Sequence, residues 1–334
     1  MKIDKYDQST FLVLKAAYQY YIQEKSQNLI AEELGVSITT VSRLLKRAKD
    51  EKIIEFVIRN PYVECLKLEQ ELRSTFGLKD VVIGPVVDIT EENGDDVAVD
   101  AESVKKLVAL EGARYLQRII KENDVLGVTW GSTVYHMINY LNPAQKANTS
   151  FVTLHGSLSN CVNEWDVRTL VSRMAKAFSG NKHTLLTDTL MGSPETVKIL
   201  KKEKSIAQVM EMFDRVNVAV NGIGALYPKT TSILATPQYL THQELQKLQE
   251  KGVVGDIALR FLNQNGEECD TDLKERTISI ELEQFRRIPL KITLASGVEK
   301  AHAIRAALRG GLIDVLIVDS KLGEALLDLA RYGL

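Results

Sequence analysis

Cysteine is scarce in this chain of 334 residues, which contains only Cys65, Cys161 and Cys269. The three residues are far apart and lack the short paired spacings that zinc sites use. They also do not provide the even number that a disulfide framework requires. We therefore expect no metal site and no cofactor, and a reducing, cytoplasmic compartment fits this cysteine content best.

Long apolar runs are also missing. No run reaches the ~18 residues of a membrane-spanning helix. The N-terminus carries Lys2, Asp4 and Lys5 where a signal peptide would need an apolar stretch. We expect no membrane partner. Hydrophobic residues still make up 45% of the chain, which is enough for well-formed cores in two or three domains.

A large net charge is the third absence, since the formal charge is only −2 at pH 7. This balance argues against a protein that coats nucleic acid. Residues 1–60, however, hold ten Lys and Arg against eight Asp and Glu, a local net charge of +2. Any affinity for DNA is therefore local, and its modest size predicts that oligomerisation adds simultaneous contacts.

Residues 27–46 have the pattern of two short helices. Apolar side chains recur at helical spacing at Ile30, Ala31 and Leu34, and again at Val41 and Leu44. The two apolar faces can pack against each other, so the segment is expected to fold as a pair of helices.

The turn between these helices falls at Gly35, which adopts a positive φ without strain, and Ser37 is placed to cap the second helix. This pattern predicts a helix-turn-helix with hydroxyl and cationic side chains on its outer face. The predicted DNA-binding residues are Ser37, Thr39, Thr40, Ser42, Arg43, Lys46 and Arg47. Of these, Thr39, Thr40 and Arg43 are expected to contact bases. A plain helical hairpin with a solvated basic face is the alternative.

The flanking segments predict a winged arrangement. A helix over residues 11–21 would cover the helix pair, and the β-prone run at residues 52–59 is typical of a wing strand. Asn60 and Pro61 end this run.

A connecting helix is predicted over residues 62–76, where Leu66, Glu69, Leu72 and Phe76 recur at helical spacing. It either self-associates or packs on the next domain, and the sequence favours neither. The predicted organisation is a DNA-binding domain at residues 1–60, a linker helix at 61–77 and a larger domain at 78–334.

Beyond residue 78, β-branched apolar runs alternate with helical stretches, the pattern of a mostly parallel sheet covered by helices in an α/β fold. The predicted strands are residues 80–84, 125–130, 150–154, 216–220, 290–294 and 315–319. Each ends in a small or polar loop, and ligands bind beyond the carboxyl ends of such strands. The acidic segment 88–100 predicts an exposed loop before a helix that includes residues 104–120.

The loop at Gly131, Ser132 and Thr133 follows the strand at 125–130 and precedes a helix predicted over residues 134–140. Free backbone amides, the helix dipole and two hydroxyls together predict an anion site. A helix cap formed by Ser132 or Thr133 is the alternative. The loop is not a P-loop, because no Lys follows in the required position.

Other strand ends supply further candidates, namely His155, Gly156 and Ser157, the glycines Gly222 and Gly224, and residues 295–300. A glycine-bounded turn at residues 252–257 is expected to hold the Asp256 carboxylate for sugar hydroxyls, with Lys300 paired to it or to a phosphate. The alternatives are a core or capping His155, a buried Asp256 that caps amides and a Lys300 in solvent.

Taken together, these residues resemble the SorC family of sugar-responsive bacterial transcriptional regulators, which includes deoxyribonucleoside-type regulators. The matching segments are residues 30–37, 41–48, 127–133, 222–224, 252–256, 295–300, 306–311 and 315–319. The resemblance implies a Rossmann-like C-terminal domain with the fold of sugar-phosphate isomerases and deaminases, which binds a phosphorylated sugar. It further implies homodimers or homotetramers that hold operator DNA and respond to the effector.

The resemblance also implies roles for single residues. Gly131, Ser132 and Thr133 would contact the phosphate, and Asp256 and Lys300 would hold the ligand from opposite loops. His155 and Ser157 would line the pocket. The implied effector-binding residues are Gly131, Ser132, Thr133, His155, Gly156, Ser157, Gly222, Gly224, Asp256 and Lys300. The family often has glycine where this chain has Ser157 and Ser296, and because the strand end at His155 has no Lys, no imine with an aldehyde sugar is expected there.

The resulting hypothesis is a cytoplasmic operator-binding regulator, a repressor, whose affinity for DNA changes when a sugar phosphate fills the C-terminal pocket. It is not expected to be an enzyme and has no predicted catalytic residues. The alternative is a sugar-phosphate isomerase or deaminase fused to a DNA-binding module, because fold alone does not separate the two. His155, Asp256 and Glu299 would then supply the acid and base groups.

Overall fold

A computed structural model describes residues 8–54, 62–86, 89–90, 96–97, 100–143, 148–158 and 164–333. The chain divides into two compact units, residues 1–60 and residues 61–334. Among the described residues, no helix has both the length and the apolar character needed to cross a membrane. The same residues contain no cluster of His, Cys, Asp and Glu suited to a metal ion.

The described part of the first unit contains the helices α1 (Gln8–Tyr21), α2 (Gln27–Leu34) and α3 (Ile38–Asp50). Gly35 ends α2 with a φ of 66°, and Ser37 caps α3 because its Oγ accepts the N–H of Thr40 at 3.1 Å. Both features agree with the sequence-based expectation. The sharp turn therefore depends on a residue that tolerates the left-handed region.

The apolar faces of α2 and α3 meet as expected. Ile30 and Ala31 of α2 are buried together with Val41 and Leu45 of α3. Leu44 also packs against this cluster as predicted, although it is only half-buried, and Leu45 is the more deeply buried of the two leucines. The wing strand predicted at residues 52–59 lies mostly outside the described residues.

The second unit is built on a seven-stranded sheet in which every pairing is parallel. Its strands, in chain order, are β1 (Asp80–Gly84), β4 (Val125–Val128), β5 (Ser150–Thr153), β6 (Asn181–His183), β7 (Val218–Asn221), β11 (Leu290–Ala295) and β12 (Val315–Asp319). Their spatial order is β1-β12-β11-β7-β4-β5-β6.

Helices cover this sheet on both faces. The helices in the described part of this unit are α4 (Tyr62–Phe76), α5 (Ala101–Ile119), α6 (Ser132–Asn139), α7 (Val167–Phe178), α8 (Pro194–Leu200), α9 (Lys204–Glu211), α10 (His242–Glu250), α11 (Asp272–Arg276), α12 (Leu282–Arg286), α13 (Ala301–Arg309) and α14 (Ser320–Tyr332), of which α10 and α11 pack in a separate hydrophobic cluster. Two smaller antiparallel sheets consist of β2 (Ile89–Thr90) with β3 (Asp96–Val97), and of β8 (Gly224–Ala225), β9 (Gly255–Ile257) and β10 (Arg260–Leu262).

Burial on both faces explains why the central strands are almost wholly apolar. Along β12, Val315 and Ile317 belong to one hydrophobic core cluster, whereas Leu316 and Val318 belong to the cluster on the other side. Each side chain of this strand is therefore removed from water, which is the condition that produces unbroken Val, Ile and Leu runs in parallel sheets. The predicted α/β fold with a mostly parallel sheet is confirmed.

Three local expectations need correction. In α4, Leu68 and Leu72 are buried, but Leu66 is 55% exposed and points away from the core. The segment at 88–100 is not only a loop, since it contains the β2–β3 pair. Residues 255–257 are not a turn either, because they form β9 between β8 and β10.

Candidate functional site

A cavity, here called the first cavity, lies where the order of the strands reverses. From β4 the chain continues to β5 on one side, whereas β7 is followed along the sheet by β11 and β12 on the other side. The loops after β4 and β7 diverge at this switch point, which is where ligands bind in open parallel sheets. A Cβ atom on Gly131 would lie 3.9 Å from the Cα atom of Gly222, so the two loops adjoin.

The first cavity has a volume of about 70 Å³. Seven of the ten effector residues implied by the sequence line it, namely Gly131, Ser132, Thr133, Gly222, Gly224, Asp256 and Lys300. The structure therefore brings together residues from four separate stretches of the sequence, at 131–133, 222–224, 256 and 300.

The N-terminus of α6 forms one wall of this cavity. Gly131 precedes the helix with a φ of 147° and a ψ of 145°, and no side chain caps the helix at this position. The first N–H groups of a helix have no partner within it, so the amides of Ser132 and Thr133 remain available to a ligand. Positive helix-end potential and free amides favour an anion here.

Asp256 faces the cavity from β9. A Cβ atom on Gly224 would lie 2.2 Å from Asp256 Oδ1, so only glycine at position 224 leaves room for the carboxylate. Burial raises the pKa of Asp256 to about 6, although Ser232 and Lys300 oppose this shift. Among the described residues, Asp256 Oδ1 has no hydrogen-bond partner. A ligand hydroxyl would satisfy this oxygen.

Lys300 ends the 3₁₀ turn Val298–Lys300 that follows β11. Burial lowers the pKa of its amine, while Glu299, Asp256 and Asp319 act in the opposite direction. Its amine makes no ion pair with another described residue. An anionic ligand at this place would therefore offset the cost of holding a desolvated cation.

A second cavity, of about 530 Å³, adjoins the first. The two share the lining residues Ser132, Thr231, Ile233 and Lys300. Lys105 also lines the second cavity, where its amine bonds Glu102 at 2.9 Å. Together the cavities are large enough for a small phosphorylated metabolite to extend outward from the first cavity.

His155, Gly156 and Ser157 line neither of these two cavities. The His155 ring is 1% exposed, and its Nε2 accepts the backbone N–H of Trp130 at 3.0 Å. Its Nδ1 lies 2.6 Å from the carbonyl oxygen of Gly156, so Nδ1 carries the proton. Burial lowers the pKa of His155 to about 4, which keeps the ring neutral. The expectation that His155 and Ser157 line the pocket is therefore not met.

The outer surface of α3 carries the predicted DNA-binding residues in different states. Most are exposed, namely Ser37, Thr39, Ser42, Arg43 and Lys46. Thr40 is half-buried and its hydroxyl bonds the Ser37 hydroxyl at 2.9 Å. Arg47 is half-buried and pairs with Glu51 at 2.5 Å. Arg43 and Lys46 make no ion pair with a described residue, so both cations are available to a partner.

The sequence of the second unit matches a known protein family. The model of the family described as "Putative sugar-binding domain" matches residues 60–328, which include both cavities. The chain belongs to this family. A sorbitol operon regulator from Klebsiella pneumoniae is 30% identical over 95% of this chain and 97% of its own length. A deoxyribonucleoside regulator from Bacillus subtilis is 29% identical over 95% of this chain and 97% of its own length.

Solved structures agree with these relatives. The crystal structure of full-length SorC from Klebsiella pneumoniae superposes with a TM-score of 0.71 and is 28% identical, covering 96% of this chain and all of that one. The protein is a SorC-type sugar-responsive transcriptional regulator, and the resemblance drawn from the sequence is confirmed.

In this SorC-type regulator, sequence reasoning missed one wall of the site. Thr231, Ser232 and Ile233 line the first cavity from the loop after β8. The signal was a polar run at residues 229–232, which begins five residues after Gly224. Lys105 was missed because it lies inside a helix, where an isolated cation is usually a solvated side chain.

Proposed function

We propose that this regulator is a repressor that binds operator DNA through residues 1–60 and releases it when a phosphorylated sugar occupies the first and second cavities. The observation that carries the proposal is the first cavity itself. It combines the amides at the start of α6, an unsatisfied oxygen on Asp256 and the desolvated amine of Lys300.

The ligand is assigned to the cavities by chemistry. The amides of Ser132 and Thr133 would hold the phosphate, because a helix N-terminus stabilises an anion. Asp256 would accept hydrogen bonds from sugar hydroxyls, and Lys300 would neutralise part of the phosphate charge. A sugar phosphate supplies both hydroxyl donors and an anion, whereas an uncharged sugar supplies only the hydroxyl donors.

The DNA-binding role is assigned to α2 and α3 as a winged helix-turn-helix. Arg43 and Lys46 are cations without described partners, and Thr39 and Ser42 expose hydroxyls beside them. Such side chains reach phosphates and base edges in the major groove. Two copies in a homodimer would contact half-sites about 34 Å apart or a multiple of that distance, and a homotetramer would add further contacts.

The alternative function is catalysis of sugar-phosphate isomerisation or deamination. The raised pKa of Asp256 and the lowered pKa of Lys300 are the observations that favour it, since perturbed groups occur in active sites. The acid and base groups expected from the sequence are dispersed, however. Asp256 lines the first cavity and Glu299 the second, whereas His155 lines neither. Turnover of any sugar phosphate in an enzymatic assay would favour this alternative.

Thermal unfolding with a panel of phosphorylated and unphosphorylated sugars tests the proposed site. A ligand at about 100 times its Kd adds about 2.7 kcal/mol of apparent stability, which is readily measured. We expect a shift with phosphorylated sugars alone, and its loss in Gly224→Ala, where the new Cβ would displace Asp256. The matched control is Gly192→Ala, because a Cβ atom there meets no atom within 4 Å.

The outcomes of this experiment separate the claims. A shift that persists in Gly224→Ala would remove Asp256 from the site. A shift with unphosphorylated sugars alone would contradict the phosphate role of Ser132 and Thr133. Thr133→Ala and Lys300→Ala test the anion contacts one at a time, and both are expected to reduce the shift.

A further inference from the structure

A third cavity lies in the second unit and shares no lining residue with the first two. Its volume is about 510 Å³. It lies between the segment before β9, the segment after β8 and the helix α13. The lining residues that matter here are Leu226, Tyr227, Val254, His302 and Arg305.

One wall of the third cavity is apolar and well fixed. Leu226 and Val254 line this wall, and the N–H groups of Leu226 and Tyr227 both donate to the carbonyl oxygen of Val254, at 2.9 and 3.2 Å. The Tyr227 ring contacts the His302 ring edge to face, with 4.9 Å between the centroids. Tyr227 is nevertheless 53% exposed, so much of its ring remains free to contact a ligand.

The other wall is cationic. Arg305 lines the cavity, and no Asp or Glu is among the lining residues. Its Nη1 donates to the carbonyl oxygen of Leu329 at 3.2 Å, and it forms no ion pair with a described residue. Burial and the neighbouring Arg309 lower the pKa of the Arg305 guanidinium. A partly desolvated guanidinium without an ion-pair partner favours an anion, which it binds through two parallel N–H groups.

We propose that the third cavity binds a small organic acid whose carboxylate pairs with Arg305 and whose apolar body packs on Tyr227, Leu226 and Val254. A flat or branched hydrocarbon group suits this wall, because rings stack on tyrosine and aliphatic groups pack on valine. Inorganic phosphate fits less well. It would leave the apolar wall empty and bring about two negative charges to a single guanidinium.

The position of α13 requires a control for the first cavity. This helix begins at Ala301, directly after Lys300, so a ligand near Lys300 also lies close to α13. Gly255 permits close packing against the first turn of the helix, since a Cβ atom at position 255 would lie 2.5 Å from the Cβ atom of Ala303. Binding must therefore be assigned to one cavity by substitutions in each.

Isothermal titration calorimetry of the full-length protein with benzoate and 3-methylbutanoate tests the proposal. Benzyl alcohol and inorganic phosphate serve as the uncharged and the purely ionic probes. We expect both acids to bind and both comparison probes to bind more weakly. Arg305→Gln should weaken acid binding about tenfold or more, because a charge-assisted pair is lost.

Three further variants assign the effect to this cavity. Arg309→Gln removes a cation one turn further along α13 and should leave acid binding within about twofold of wild type. Gly224→Ala, in the first cavity, should leave it unchanged. Tyr227→Ser shortens an exposed side chain and should weaken benzoate binding even if Arg305→Gln proves too unstable to titrate.

Several results would overturn the proposal. The first is that neither acid binds up to about 10 mM, where the affinity would be negligible. The second is that Arg305→Gln and Tyr227→Ser both bind the acids as tightly as wild type does. The third is that Arg309→Gln loses as much affinity for the acids as Arg305→Gln does. Loss of acid binding in Gly224→Ala would instead assign the acid to the first cavity, which also contradicts the proposal.

Discussion

The imidazole of His155 accepts a hydrogen bond from the backbone N–H of Trp130, with 3.0 Å between Nε2 and N. Trp130 directly precedes Gly131, where the amides of the proposed phosphate site begin. A buried histidine thus holds the loop of the first cavity from behind, without lining the cavity. On the proposed ligand it would act only by positioning this loop.

His155→Ala is expected to destabilise the second unit by about 1–3 kcal/mol, because it leaves the Trp130 N–H buried without a partner. It should also weaken binding of sugar phosphates. Urea unfolding followed by tryptophan fluorescence measures the stability, since both tryptophans, Trp130 and Trp165, belong to the second unit. His183→Ala is the control, because His183 is half-buried on the edge strand β6. Equal losses in both variants would contradict the positioning role.

The dependence of stability on pH should show two opposed effects. Burial lowers the pKa of His155 from 6.5 to about 4, so the unfolded chain binds this proton first. The contribution of neutral His155 to the free energy of unfolding is present above pH 6.5 and is lost as pH falls towards 4. Burial raises the pKa of Asp256 from 3.8 to about 6, so the folded chain holds that proton. This contribution is present below pH 3.8 and is lost as pH rises through 6.

Between pH 4 and 6 the contributions of His155 and Asp256 to the pH dependence of the free energy of unfolding should therefore largely cancel. Asp256→Asn removes one of them, so the variant should gain stability with rising pH more steeply, by at most about 1.4 kcal/mol per pH unit. At neutral pH it should be more stable than wild type but bind sugar phosphate less tightly. Urea unfolding at a series of pH values measures this slope. Identical slopes in wild type and variant would show that the Asp256 proton is not linked to folding.

Arg43→Ala should abolish or relax operator recognition and leave effector binding intact. Loss of a base contact of this kind costs about 1–3 kcal/mol, or roughly 5- to 150-fold in affinity. Fluorescence anisotropy on a DNA fragment selected from a random pool measures the effect. Lys15→Ala removes an exposed cation from α1 instead, and it should change the affinity much less. If Arg43→Ala protects the same DNA fragment in a footprinting experiment as wild type does, Arg43 is excluded from the DNA interface.

Ser37→Ala should loosen the start of α3. The Ser37 hydroxyl accepts the N–H of Thr40, and loss of such a cap costs about 1 kcal/mol. Hydrogen exchange in α3, followed by mass spectrometry, should be about fivefold faster in the full-length variant. Ser42→Ala changes an exposed serine within the same helix and should leave exchange unchanged or slower. Equal exchange in both variants would contradict the capping role.

The sequence predicts much of this fold because its signals are local. A strand such as β12 is recognisable from Val315 to Asp319 because burial on both faces requires an unbroken apolar run. Gly35 and Ser37 are equally readable, since a tight turn and a cap each require particular residue types. Short-range chemistry of this kind is contained in a few neighbouring residues.

The order of the strands is not contained in such signals. β4 and β7 are 90 residues apart in the chain, and only their pairing brings Gly131 against Gly222. The wrong expectation of a turn at residues 252–257 has a related cause. In the sequence Gly255 suggests a turn, whereas in the structure its lack of a side chain lets α13 pack against it at Ala303.

His155 shows a second limit. A polar side chain at a strand end suggests a ligand contact, but this ring satisfies the backbone of Trp130 instead. Both uses require the same residue type at the same place in the sequence. Only the position of the neighbouring loop distinguishes them.

Operator binding with and without a sugar phosphate is the most direct test of the proposed function. Anisotropy of the selected DNA fragment is measured while each phosphorylated sugar that shifts the unfolding temperature is added. We predict release of the DNA, with at least about a tenfold loss of affinity, which corresponds to about 1.4 kcal/mol of coupling between the two sites. By linkage, the DNA must weaken binding of that sugar by the same factor. Unchanged DNA affinity at saturating sugar phosphate, or tighter binding, would contradict the account of this protein as a repressor released by its ligand.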